Sequence, residues 1–296
     1  MASVAVERPL DRAAGVNRAG LRGALLLAVA LVLWGLWEGF RALGIHYGWT
    51  RPFTVDATTM PHVHSMFQAL FERPNPQAPL LVVTLLKAAA FTAKEAALGF
   101  AIGTVAGFAI GALLAHSRIL QRGFLPYVVA SQTVPILAIA PMVVIWFTNP
   151  SSLVHVTAWV AVSIIASYLT FFPVAIATLR GLQATDRRAV ELMRSYGANT
   201  WSVLWKLRFP TSLPYLFSAL KVAATASIVG AIIGESPSSI AGGLGGAILN
   251  FAQYYSFQPQ NLWATNIVAA ALGIAFFLVV VGAEKVVVRR APENVG

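Results

Sequence analysis

Long apolar runs alternate with short polar connectors along this chain, and six of the runs are long enough to cross a bilayer. They cover residues 21–43, 96–115, 124–147, 156–179, 214–234 and 262–283, close to the roughly 20 residues that a helix needs to span the hydrocarbon. The first run exceeds a secretory hydrophobic region and no small-residue cleavage site follows it, so it reads as an uncleaved span. Residues 44–79 form the longest polar connector, and residues 80–94 predict a helix lying at the interface before the second span. The pattern divides the chain into a tail, first span and loop over 1–80, a core of five spans over 81–290, and a short tail over 291–296.

Within the spans, a few positions stand out. Gly99, Gly103, Gly107 and Gly111 recur every four residues and so form one narrow stripe, which lets another helix backbone approach closely in lipid. Its expected use is packing inside the subunit's own bundle, with a dimer seam as the alternative. The third span carries Pro126, Pro135 and Pro141. Interior prolines bend helices, and such breaks are tolerated at membrane depth where protein or a water-filled cavity satisfies the backbone. Ser131, Gln132 and Thr133 precede Pro135, and together with Glu235 at the end of the fifth span they are the candidates for lining a substrate path. Lys221 lies one or two turns into the fifth span and is expected to snorkel to the headgroups. Tyr254 and Tyr255 suit an outer interface.

The connector between the fourth and fifth spans has a different character. In "ELMRSYGANTWSVLWKLRFPTSLP", residues 191–214, helical spacing places Ala189, Leu192, Met193 and Tyr196 on one apolar face. Thr185 can cap this helix, and Asp186 complements its positive end. Gly197 stops it, Asn199 or Thr200 can cap a second helix bearing Trp201, Leu204 and Trp205, and Phe209–Pro210 ends that one. Two readings remain open from periodicity alone: a hairpin lying on the headgroups, or one presented to a partner.

Composition then fixes the solvent. Of 296 residues, 57% are hydrophobic and 11% charged, against about 25% charged in soluble domains. A net charge of +10 suggests a polyanion ligand until its placement is considered. Arg8, Arg12, Arg18, Arg22, Arg118, Arg122, Arg180, Arg187, Arg188, Arg194, Lys206, Arg208, Lys285, Arg289 and Arg290 flank alternate ends of the apolar runs. That is the positive-inside bias of a membrane protein with both termini cytoplasmic, not a nucleic-acid surface. The chain has no cysteine, which excludes disulfides and thiolate chemistry. His62 and His64 are expected to be solvated loop histidines: residues two apart do not share a helix face, and no third ligand is evident. No phosphate-binding loop, zinc-protease motif or nucleophile elbow is present, so neither a catalytic residue nor a resident metal is assigned.

The connector also resembles the cytoplasmic "EAA" loop of permease subunits in binding-protein-dependent ABC importers. Glu191, Gly197 and Pro210 match that pattern in register, while Leu192, Met193, Leu207 and Phe209 depart from it but stay apolar. From about Thr84 to Arg290 the chain is similar to the branch that includes nitrate, taurine, sulfonate, pyrimidine-precursor and riboflavin permeases, through its glycine stripe, "SQTVPILAIAPMVVIWF" and "GESPSSIAGGLGGAI". The resemblance implies an all-α integral membrane protein with the six-span type I importer permease fold and a coupling loop over about 181–212. It implies a pathway formed by two permease copies in the cytoplasmic membrane and an extracytoplasmic binding protein that delivers substrate. Two separate ATPase subunits would carry ATP and Mg. Glu191, Leu192, Met193, Tyr196, Gly197, Ala198 and Pro210 would dock them. Similarity around "SQTVP" and "GESPSS" tilts the substrate toward a small aromatic heterocycle over sulfonate, taurine or nitrate. The competing class is a secondary transporter or channel without an ATPase, for which Glu95 and Glu235, both placed near span ends, are the available ionisable groups. An intramembrane enzyme lacks a nucleophile–base pair.

Overall fold

The computed structural model describes residues 10–51, 54–56, 58–236 and 242–288. Arg8, Arg289, Arg290, the tail over 291–296 and residues 237–241 of the glycine-rich turn lie outside the described residues, as do the side chains of Arg12, Arg18 and Arg22. Every regular element among the described residues is helical. The chain separates into two compact units, one through Ala69 and one from Leu70.

The first unit holds α1 (Leu10–His46) and the short α2 (Val63–Ala69). The apolar side chains of α1, among them Leu27, Leu31, Leu33 and Leu36, are exposed, as suits a helix whose solvent is lipid. Near its end three side chains bind the returning segment. Trp37 Nε1 donates to the Pro61 carbonyl at 3.2 Å, Arg41 Nε to the Met60 carbonyl at 2.8 Å, and Val63 N–H to Glu38 Oε1 at 3.0 Å. Asp56 orders the connecting turn by accepting from the Thr59 and Thr58 amides at 2.7 and 2.9 Å. The Thr59 amide and hydroxyl bonds hold its carboxyl below the usual aspartate value. The turn therefore keeps these bonds at neutral pH and loses them as pH falls through that lowered value.

In the second unit, α3 (Leu81–His116) is one unbroken 36-residue helix. The expected interfacial helix over 80–94 is therefore its first half. Its side chains at that level face other helices rather than an interface: Lys94 Nζ stands 3.6 Å from the Trp159 ring centroid, and Glu95 is fully buried. After Ser117, whose hydroxyl accepts from Leu120 N–H, come α4 (Arg118–Ser131) and α5 (Ile136–Thr148), bent by 95° at the break between them. Pro126 and Pro141 sit inside these helices. The break falls at Pro135, because the residue before proline avoids the helical region, and Gln132 and Thr133 close the preceding turn on Val129 and Ala130.

The remaining helices are α6 (Ala158–Gln183), α7 (Arg187–Ser195), α8 (Thr200–Val203), α9 (Phe209–Glu235), α10 (Leu244–Gln253) and α11 (Pro259–Val288). Among the described residues five helices are long and apolar enough to span, six spans in all when the bent α4–α5 pair is one of them. α6 packs on α3 along one side and on α9 along the other. Small residues allow this. Ala96, Ala161, Ala166 and Ala231 join Val162, Ile165 and Ile228 in the core, with α5 contributing Ala140 and Val144.

The glycine stripe faces α6. A Cβ at Gly99 would stand 2.5 Å from Ala166 Cβ, and one at Gly103 would stand 2.6 Å from both the Ser167 carbonyl oxygen and Thr170 Cβ. Gly230 of α9 approaches α6 in the same way, 2.8 Å from Ala166 Cα. α11 packs on α9, where Lys221 Nζ pairs with Glu284 at 3.0 Å. Lys221 thus has a partner on α11. A carboxylate on the neighbouring helix holds its ammonium among half-buried surfaces.

Candidate functional site

The connector after α6 folds as a hinged pair of helices. Asp186 caps α7 by accepting from Arg188 N–H at 2.9 Å, a bond that offsets one orphan amide at the helix start. Thr185, the other expected cap, has a buried hydroxyl without a hydrogen-bond partner. Arg187 Nε meets Glu191 Oε1 at 2.9 Å on the same helix. Both groups are largely exposed, so the pair contributes about 0.3–0.5 kcal/mol. At the far end Gly197 adopts φ 78°, and its N–H and that of Ala198 bond back to Arg194 and Met193. Only glycine takes this left-handed turn without steric cost.

Asn199 then caps α8, its Oδ1 accepting from Ser202 N–H at 2.7 Å. The helix does not stop at Phe209–Pro210. A π-helical turn over Leu204–Arg208 leads directly into α9, so one helical run extends from Thr200 to Glu235. Proline removes an N–H and crowds the carbonyl one turn back. It is accommodated here in the first turn of α9, immediately after the widened turn. The second arm of the hairpin is thus continuous with a membrane span. Aromatic rings support the junction: Trp201 on Trp205 at 5.6 Å, Trp205 on Phe209 at 5.2 Å, and Phe209 on Phe108 of α3 at 6.0 Å between centroids.

The apolar face of the hairpin is uncovered. Leu192 is 59% exposed, Tyr196 86% and Trp201 66%, while Met193 and Ala198 are half-buried and Val190 and Val203 anchor the arms. Glu191, Gly197 and Pro210 are exposed as well. Beside α7 lies a cavity of about 1430 Å³ whose lining includes Arg118, Arg122, Arg187, Arg194 and Arg208, with Glu191 as its acidic member. The surface around the hairpin therefore combines exposed aromatic and aliphatic anchors with an excess of guanidinium groups, which suits a partner carrying apolar and acidic groups.

The pathway candidates occupy two separate settings. Gln132, Thr133 and Pro135 are exposed at the α4–α5 break, and Ser131 is half-buried. Ser131 and Thr133 hydroxyls donate to the carbonyls of Val128 and Ala130, and the Tyr168 hydroxyl of α6 donates to the Ser131 carbonyl. Glu235 is fully buried. Thr92 Oγ1 donates to its Oε1 at 2.6 Å, Gly245 N–H to its Oε2 at 2.5 Å, and Leu244 N–H returns to Thr92 Oγ1 at 2.9 Å. A Cβ on Gly243 would overlap the Glu235 carboxyl group. This cluster ties the end of α9 to α3 and to the start of α10. Glu95 joins it from well inside α3 rather than from a span end, its two buried oxygens lacking a hydrogen-bond donor. Thr92 has no sequence signal that separates it from Thr84 in the same apolar run.

The structure also changes the setting of the loop histidines. His62 Nδ1 lies 2.8 Å from Glu38 Oε2, so a third donor does approach the pair. No local pattern signals this contact, because Glu38 sits 24 residues earlier, on α1.

Residues 103–291 match the family described as binding-protein-dependent transport system inner membrane component. Among curated proteins, the formylaminopyrimidine transport permease protein ThiX of Halalkalibacterium halodurans is 32% identical over 168 residues, 55% of this chain and 64% of that protein. The riboflavin transport system permease protein RibX of Chloroflexus aurantiacus is 32% identical over 140 residues, 47% of this chain and 48% of that protein. A putative aliphatic sulfonates transport permease protein, SsuC of Bacillus subtilis, is 25% identical over 253 residues, covering 86% of this chain and 81% of its own. The chain thus spans about two thirds and about half the length of the first two relatives. The family match begins within α3 and takes in the later helices and the hinged hairpin together, and this membrane-spanning chain belongs to the binding-protein-dependent transport system inner membrane components.

Proposed function

We propose that this protein is the permease subunit of an ATP-driven importer. Two copies form the pathway in the cytoplasmic membrane with their termini inside, and each hairpin docks on a separate ATPase subunit. An extracytoplasmic binding protein supplies the substrate. The observation that carries the reading is mechanical. The uncovered face of Leu192, Tyr196 and Trp201 sits on a capped helix pair, and its second arm is one helix with α9. A push on that face moves a span rather than a loose loop. The arginines that flank the spans fit a cytoplasmic position for this end.

Ser131, Gln132, Thr133 and Pro135 are the pathway residues in this account, because the broken span is where exposed polar groups interrupt apolar surface. Glu235 acts behind them as the buried tie between α9, α3 and α10. The substrate class we favour is a small aromatic heterocycle, supported by the two relatives whose names specify formylaminopyrimidine and riboflavin. ATP and Mg belong to the partner ATPase.

The test is Gly197→Val alongside Glu191→Lys. A β-branched residue at φ 78° costs about 1–3 kcal/mol and distorts the turn between the arms. Both variants should insert in the membrane, lose uptake and fail to retain the ATPase on purification. Wild-type uptake and retention by Gly197→Val would refute the docking role.

A further inference from the structure

We propose that Glu38, His62 and His64 form a binding site for a divalent transition-metal ion of the zinc type, at the end of α1. One donor atom from each of the three lies within 4.8 Å of the others. The imidazoles of His62 and His64 face each other at 4.9 Å between centroids, tilted by 33°, and the Glu38 carboxylate already touches His62 Nδ1 at 2.8 Å.

The helix-face objection to a pair two residues apart does not apply, because α2 begins at Val63 and His62 precedes it. The two rings therefore converge where a regular helix would send them to different sides.

The donor set selects the ion. Two imidazole nitrogens and one carboxylate oxygen suit zinc and its neighbours, whereas calcium and magnesium take oxygen donors. Zinc bonds of about 2.0–2.2 Å in a tetrahedral site bring donors to about 3.3–3.5 Å of one another. The present spread of up to 4.8 Å closes by rotation of His64, whose side chain is exposed.

The scaffold is already in place. Trp37 and Arg41 hold the Pro61 and Met60 carbonyls on either side of Glu38 in sequence, and Glu38 Oε1 is fixed by Val63 N–H. Arg41 Nε donates to the Met60 carbonyl, and Glu38 Oε2 is turned toward the His62 ring as a negative donor. Three protein donors leave the fourth position to water. Bound metal would fasten the segment after α1 back onto that helix by coordination as well as by hydrogen bonds.

The test uses the full chain without a histidine tag, purified in detergent and stripped with a chelator. Titration with Zn²⁺ should show saturable binding of one ion per chain, and Co²⁺ in its place should give the visible absorption of a tetrahedral site. His64→Ala, at an exposed position, should weaken binding by about 10–100-fold or more, and so should Glu38→Gln. His155→Ala, at a histidine outside the cluster, should leave binding unchanged. Circular dichroism of each variant confirms the fold. Absence of saturable Zn²⁺ binding by the wild-type chain, or equal affinity in folded His64→Ala and Glu38→Gln, overturns the proposal. In that case the Glu38–His62 contact is a hydrogen bond and nothing more.

Discussion

Replacing Gly103 by alanine is the sharpest test of how the core is assembled. The added methyl would stand 2.6 Å from both the Ser167 carbonyl oxygen and Thr170 Cβ, whereas ordinary contact begins at 3.4 Å. Backbone cannot swing aside as a flexible side chain does, so α3 and α6 must part locally by roughly 0.8 Å. Overpacking of this kind costs about 1–3 kcal/mol. Alanine returns about 1 kcal/mol through its higher helix propensity, which leaves a net loss of about 0–2 kcal/mol, toward the upper end because one of the two 2.6 Å contacts is to backbone. Gly123→Ala is the control: it lies on α4 with nothing within 4 Å of the new methyl, and it should gain about 0.5–1 kcal/mol. Thermal unfolding in detergent, followed by tryptophan fluorescence, should therefore lower Tm for Gly103→Ala and hold or raise it for Gly123→Ala. Equal Tm values for Gly103→Ala and the parent would refute close backbone packing as the reason for the stripe.

Two further changes probe other ties within the bundle. Lys221→Met or Glu284→Gln alone should destabilise the fold by more than half as much as the two together, because each single change strands the other half-buried group; additive losses in a double-mutant cycle would deny that the pair interacts. Gly243→Ala should lower Tm more than Gly273→Ala, since the first methyl meets the Glu235 carboxyl and the second meets nothing within 4 Å; equal effects would remove the Thr92–Glu235 cluster as a fastening of α10.

Local chemistry in the sequence accounts for much of the hairpin. The αL turn at Gly197 and the Asn199 cap follow from what glycine and asparagine do near any helix end. The shift of the first cap from Thr185 to Asp186 is a one-residue ambiguity between two competent side chains. Other features depended on distant partners. Residues 80–94 read as an interfacial helix and Glu95 as a group near a span end, because Trp159 and Glu235, which stand beside Lys94 and Glu95, come from other helices. Pro210 looked like a stop because an α-helical register cannot place it easily, whereas the π turn before α9 absorbs it. Glu38 and His62 meet only when the segment after α1 turns back, and no periodicity within either stretch signals that contact.

The proposed coupling requires the hairpin to be gripped by a separate ATPase. The chain has no cysteine, so Tyr196→Cys introduces a single reactive thiol at the hairpin's most exposed apolar position. A cysteine-free ATPase partner carrying one engineered surface cysteine at a time would then be co-expressed with it and oxidised in membranes. Docking should give disulfides at a confined set of ATPase positions, with a yield that changes on adding ATP. Tyr196→Cys that instead reacts only with lipid-phase reagents, or labels from outside the cell, would contradict it.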